Sequence, residues 1–226
     1  MDSVRTLEAR TRFVRRVLTD LWPSAVPLLR HGDCFELLVA VVLSAQTTDD
    51  QVNRVTAGLF QTWPDAERLA AADVGEVEER IRSLGFFRTK AKHLVGLSRI
   101  LVERYGGRLP DSFENLLELP GVGRKTANLV ASACMGRPGI IADTHFLRVC
   151  HRLGLIENRN PESAERRIEE LVEPEHRTAF SHALNRHGKA VCRARRPDCP
   201  SCAVLAVCPE GRRLTGTGIQ PESASE

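Results

Sequence analysis

The run Leu119-Pro120-Gly121-Val122-Gly123-Arg124-Lys125-Thr126-Ala127 places a primary amine in the first turn of a new helix. Pro120 cannot continue the apolar helix before it, and glycine tolerates the positive φ that a tight turn demands. The second helix opens with backbone N–H groups that lack an intrahelical acceptor, and their partial positive charge suits a phosphate. Such a helix-hairpin-helix holds nucleic-acid backbone without reading sequence. An amine at this place lies close to the sugar attached to the held phosphate. The helix N-terminus carries roughly +0.5 charge. Arg124 is a cationic neighbour, and closure against DNA removes water. All three favour the neutral amine that a nucleophile must be. Facing an anomeric carbon, that amine can displace a base and form a Schiff base. Neutralising a phosphate is the plainer role for the same lysine, and the hairpin alone does not separate the two.

Asp143 follows Lys125 by eighteen residues, in Ile140-Ile141-Ala142-Asp143-Thr144-His145-Phe146-Leu147-Arg148-Val149. One helix, Thr126 to Met135, lies between them and is closed by Gly136 and Pro138. A helix that long spans roughly 15 Å, so a direct reversal brings the carboxylate back toward the mouth that Lys125 faces. There it can stabilise a developing oxocarbenium ion or help deprotonate the amine. Asp143 or Thr144 is also expected to cap the helix starting near His145. The two roles are compatible.

Cys192, Cys199, Cys202 and Cys208 follow a C-x6-C-x2-C-x5-C spacing within seventeen residues. No secretion signal is apparent, so a reducing compartment is expected and two disulfides are the less favoured reading. Four clustered thiolates suit zinc or an iron–sulfur cluster. Zinc modules usually pair two C-x2-C knuckles across a longer loop, whereas this segment has one. The compact winding favours a cubane [4Fe–4S] cluster, with zinc as the other reading. Cys34, Cys134 and Cys150 stand singly in apolar segments and are read as core residues.

With Leu43-Ser44-Ala45-Gln46-Thr47-Thr48-Asp49, these features occur in an order that resembles the endonuclease III family of base-excision DNA glycosylases. The resemblance runs from about Phe13 to Cys208. It implies a bifunctional enzyme that removes oxidised pyrimidines from double-stranded DNA and nicks the abasic site by β-elimination. By the same resemblance Lys125 is the Schiff-base nucleophile and Asp143 the assisting carboxylate, while Cys192, Cys199, Cys202 and Cys208 hold a [4Fe–4S] cluster. Gly121 and Gly123 belong to the phosphate-binding hairpin. Gln46 fills the gap left by the extruded base, and Phe86 is the wedge, where relatives commonly carry a smaller aliphatic residue. Arg124, Thr144 and His145 are expected beside the DNA. His145 and His187 are read as structural hydrogen-bonding residues rather than catalysts. Two other readings differ at named positions. Adenine-excising relatives generally lack the hairpin lysine and carry glutamate where Val41 stands, and a silent helix-hairpin-helix binder needs neither Lys125 nor Asp143.

Composition agrees. Lys and Arg number 32 against 29 Asp and Glu, a formal net charge of +3, so the chain is mildly basic and its local charge distribution matters more than the sum. Arg186, Lys189, Arg193, Arg195 and Arg196 crowd the start of the cysteine segment and are expected to meet phosphate. The cluster would then shape a loop rather than perform redox chemistry.

The elements that must position these groups read as helices. Val4, Leu7, Phe13, Val14, Val17, Leu18 and Leu21 form a stripe ending at Pro23. Phe35 to Leu43 is nearly all apolar, Glu36 excepted; its neighbours favour a buried helix, although periodicity alone allows a strand. It is far too short to span a membrane. Helices also start at Asp49, at Asp73 with Glu76, at Lys90, at Asp111 with Glu114 as the cap of the helix entering the hairpin, and at Asn160-Pro161. Pro174 separates the last of these from Glu175 to His187. The fold is all-α.

The resemblance implies a six-helix domain over residues 26–137 containing the hairpin, and a discontinuous cluster domain from residues 1–25 and 138–210. The active site is expected in the cleft between them. Residues 211–226 read as a mobile tail. A cytoplasmic, nucleoid-associated monomer is expected.

Overall fold

The computed structural model describes residues 4–23 and 29–217, and every regular element among them is a helix. The chain divides into two compact units, residues 27–137 and residues 1–26 with 138–226. The expected boundary at residues 25 and 26, and the part of the expected tail after Thr217, lie outside the described residues.

In chain order, α1 (Val4–Leu21) belongs to the discontinuous unit. The continuous unit follows with α2 (Cys34–Leu43), α3 (Asp49–Thr62), α4 (Ala66–Ala70), α5 (Val74–Arg80), α6 (Phe87–Tyr105), α7 (Phe113–Leu117) and α8 (Arg124–Cys134). Its described residues form seven helical segments, two of them short helices capped by Asp65 and Asp73. The ambiguous apolar run is α2, with Leu37 through Leu43 all buried. A helix that is apolar all round belongs in a core, and α3, α6 and α8 pack around this one. The cap of α7 is Ser112, whose Oγ accepts from the Asn115 N–H at 3.1 Å, and not Asp111 as the sequence predicts. Phe113 is drawn into the core and starts the helix, so the cap falls one residue later.

Two of the three single cysteines are not single. Cys34, the first residue of α2, and Cys134, the last of α8, form a disulfide across a Cα–Cα distance of 5.8 Å. Packing of the two helices brings together residues 100 positions apart, within the normal disulfide range. No local pattern announces such a pair. Cys150 remains a free, fully buried core residue.

The discontinuous unit continues with α9 (Thr144–Arg152), α10 (Pro161–Leu171), α11 (Pro174–Ala190) and α12 (Pro209–Thr215). Val14 and Leu18 of α1 share one core with Phe146 and Val149 of α9 and Phe180 and Leu184 of α11. The helices α9 and α11 approach so closely that a Cβ on Gly188 would lie 2.9 Å from His145 Cβ. Pro161 and Pro174 each start a helix, where the missing N–H costs nothing. The expected tail starts too early: α12 runs to Thr215, and Gly211 is buried against Leu205 and Cys208. No helix among the described residues is long and apolar enough to cross a membrane.

Candidate active site

Leu119 and Val122 are buried and anchor the turn between α7 and α8. The Val122 N–H donates to the Leu119 carbonyl at 3.0 Å, with Pro120 and Gly121 between them. Gly121 has φ +80°, the pattern of a type II turn. A Cβ there would also lie 2.7 Å from His93 Nδ1 on α6. Gly123 differs: its φ is −93° and nothing lies within 4 Å of where a Cβ would stand. It caps α8 without a side chain. Gly121→Ala is therefore expected to cost at least ~2 kcal/mol of stability through backbone strain and overlap. Gly123→Ala should cost about 1 kcal/mol or less. Thermal melting of the two variants measures the difference.

Lys125 is the second residue of α8 and its side chain is exposed. Arg124, just before it, turns its guanidinium over the Phe113 ring at 5.5 Å, and Arg137 covers the same ring at 4.3 Å. The lysine is thus presented in the first turn of a helix whose opening N–H groups meet no capping side chain.

Asp143 is the N-cap of α9 in the other unit, and Thr144 is the first helical residue and exposed. One carboxylate oxygen accepts from the Phe146 N–H at 2.8 Å, and the other accepts from the Asn185 side-chain amide. Both partners donate, which matches an anionic carboxylate held in one orientation. On α11 beside it, burial first and then Arg186 push His182 down to about 4, against a smaller opposing pull from Asp143. Its imidazole is neutral at pH 7. His145 Nδ1 meets an Arg148 guanidinium nitrogen at 3.0 Å. Guanidinium only donates, so this Nδ1 is the acceptor, and burial lowers the ring's proton affinity further. His145 is thus a hydrogen-bonding partner of Arg148 on its own helix.

Gln46 and Phe86 are the two non-glycine residues with positive φ among the described residues, at 54° and 57°. Such a conformation in a bulky residue is held in place by its surroundings. Gln46 is exposed, and Phe86 is 66% exposed, an apolar ring presented to solvent directly before α6.

Cys192, Cys199, Cys202 and Cys208 are free thiols that line one pocket with Arg152, His187 and Gly211. Among the described residues no three His, Cys, Asp or Glu side chains are gathered into a ready metal site. Donors nevertheless point at the sulfurs. Arg152 reaches Cys192 Sγ at 3.3 Å, the Gly211 N–H reaches Cys208 Sγ at 3.2 Å, and His187 Nε2 lies 3.5 Å from Cys202 Sγ. His187 Nδ1 is buried without a partner, and burial pushes the ring down to about 4. Burial pushes the Cys202 thiol up to about 11, with the other three cysteines adding to the rise. Arg193 and Arg195 are exposed on the loop that leads into this pocket.

Four contributing residues escape the sequence reading. Arg148 and Arg152, one turn apart on α9, hold the start of the cysteine loop through the carbonyls of Gly188, Cys192, Arg193 and Ala194. Their i, i+4 spacing signals a shared helix face. Asn185 and Lys90 carry no such local signal.

Residues 39–174 match the HhH-GPD superfamily of base excision DNA repair proteins. Endonuclease III of Synechocystis sp. is 44% identical over 197 residues, covering 87% of this chain and 90% of that protein. The Bacillus subtilis enzyme is 41% identical, with coverage of 88% and 92%. The Escherichia coli enzyme is 36% identical, with coverage of 92% and 96%. A solved structure of a trapped endonuclease III–DNA covalent intermediate superposes with a TM-score of 0.87 at 37% identity, covering 92% of this chain and 98% of that one. With the hairpin and its lysine, the capping aspartate and the cysteine pocket in place, the chain belongs to the endonuclease III family of helix-hairpin-helix base excision DNA repair proteins.

Proposed function

We propose that this protein is a bifunctional DNA glycosylase and abasic-site lyase that acts as a monomer on double-stranded DNA carrying an oxidised pyrimidine or an abasic site. The observation that carries the reading is the hairpin. Lys125 stands exposed in the first turn of α8, whose opening N–H groups meet no capping side chain. A DNA phosphate satisfies those donors, and the open space before Gly123 lets it approach. Arg193 and Arg195 add backbone contacts, so binding weakens as salt rises.

The damaged pyrimidine leaves the stack, and Gln46 and Phe86 fill its place. Lys125 Nζ forms a bond to C1′ as the glycosidic C–N bond breaks and the base departs with the bonding electrons. Asp143 stabilises the positive charge on the sugar and accepts the proton shed by the amine. Ring opening gives the Schiff base, and loss of a C2′ proton expels the 3′ phosphate. Hydrolysis of the imine returns Lys125. Val41, where adenine-excising relatives carry glutamate, is buried in the apolar body of α2 and supports the pyrimidine reading.

The pocket fits a [4Fe–4S] cluster held by Cys192, Cys199, Cys202 and Cys208: all four thiols are free, they share one cavity, and N–H donors already face the sulfurs. When bound, the cluster supplies a fixed scaffold for the arginine-bearing loop. Such an enzyme works at the nucleoid, in the cytoplasm.

Incubation with a duplex holding one thymine glycol tests the reading. Cleavage leaving a 3′ unsaturated aldehyde is expected, from brown protein holding about four irons per chain. Binding without cleavage at any enzyme concentration would leave a silent hairpin protein. Zinc in place of iron would remove the cluster from the account.

A further inference from the structure

Lys90 is 4% exposed, on the first turns of α6, and its amine donates to Thr47 Oγ1 at 2.9 Å. No carboxylate among the described residues pairs with it, and burial lowers its proton affinity from the usual lysine range. Burying an unpaired amine is costly, and a methionine would fill similar space more cheaply. The contact it makes therefore needs a reason.

Thr47 supplies one. Its hydroxyl accepts from Lys90 and lies 3.3 Å from the Ala45 carbonyl, to which it donates. That bond closes over the residue between them, which is Gln46 in its left-handed conformation. At the other end, the Lys90 main-chain N–H donates to the Phe86 carbonyl at 3.0 Å, directly behind the second left-handed residue. A parallel tie joins the same two segments, since Gln51 Nε2 donates to Ser83 Oγ at 2.9 Å. One buried residue thus touches both turns that present the exposed Gln46 and Phe86.

We propose that Lys90 is a positioning residue for base extrusion: through Thr47 it fixes Gln46 in register with Phe86, so that both enter the duplex as one preset pair. This rests on the reading that Gln46 and Phe86 fill the gap left by the base. A preset pair loses little further conformational freedom on entering DNA.

The test uses the full protein and three readouts: single-turnover cleavage of thymine-glycol duplex, fluorescence of 2-aminopurine placed opposite the lesion, and borohydride trapping on a single-stranded abasic oligonucleotide, which has no gap to fill. Lys90→Met is expected to slow duplex cleavage at least ~10-fold, the scale of one lost charged hydrogen bond, and to flatten the fluorescence rise. Trapping on the single strand should stay within about threefold of wild type, since removing this tie does not touch the nucleophile. Thr47→Val should do the same, and the double variant should be no slower than the slower single variant. Should Lys90→Met not fold, Thr47→Val alone decides by the same criteria. Equal loss on both substrates, additive losses, or wild-type fluorescence in both variants would overturn the proposal. Gln46→Ala separates the two levels. If it abolishes the fluorescence rise while Lys90→Met does not, only the role of Lys90 fails. If Gln46→Ala leaves the rise intact, the gap-filling reading fails and the proposal with it.

Discussion

Lys125→Gln should lose abasic-site cleavage by at least ~10³-fold while binding to an abasic-analogue duplex changes less than about threefold. The asymmetry follows from where the side chain stands. On the proposed reading phosphate is held by the opening N–H groups of α8, which meet no capping side chain, belong to the backbone and survive the substitution. Glutamine has a length similar to lysine and is a good helix former, so α8 itself is undisturbed. What disappears is the amine proposed to become covalently attached to sugar. A lysine serving only as a phosphate contact would show the opposite pattern, with affinity and cleavage falling together and a shallower salt dependence of binding. Gel-shift titration and single-turnover nicking on the same preparation distinguish the two.

Asp143→Asn is expected to lower the base-excision rate about 10²–10³-fold, within the usual range for a positioned proton acceptor, with little change in melting temperature. Asparagine is as good a helix cap as aspartate, so the Phe146 N–H keeps its acceptor. Asn185 can turn its amide to accept where it now donates. The substitution therefore removes charge and leaves the α9 terminus intact. Asp143→Ala should show the same loss of rate together with about 1 kcal/mol of destabilisation from the lost cap. If the asparagine variant kept wild-type excision while the alanine variant only melted earlier, capping would be the whole role of Asp143.

Local chemistry made much of this protein legible before any fold was known. Pro120, Gly121 and the helix restarting at Arg124 announce a turn because each acts on its own backbone, and the turn has the hydrogen bond and positive φ they imply. Asn160 with Pro161 likewise marks a helix start that Asn160 caps. The all-α class follows from the same punctuation. Contacts between distant segments were not legible. Cys34 and Cys134 look like isolated core thiols until α2 packs on α8. Asn185 gives no sign of its carboxylate 42 residues earlier, nor Lys90 of a threonine 43 residues away. The cap of α7 shifted from Asp111 to Ser112 because burial of Phe113, a tertiary effect, chose between two competent residues. Polar composition also misled at Gly211, where α12 packs against Leu205 and Cys208 beside the cysteine pocket.

Borohydride reduction of wild-type protein mixed with duplex containing a single abasic site, followed by peptide mapping of the adduct, tests the central claim most directly. A stable protein–DNA conjugate is expected, with the sugar remnant on Lys125 of the modified peptide. A conjugate on another amine, or none from protein that binds the same duplex, would contradict it.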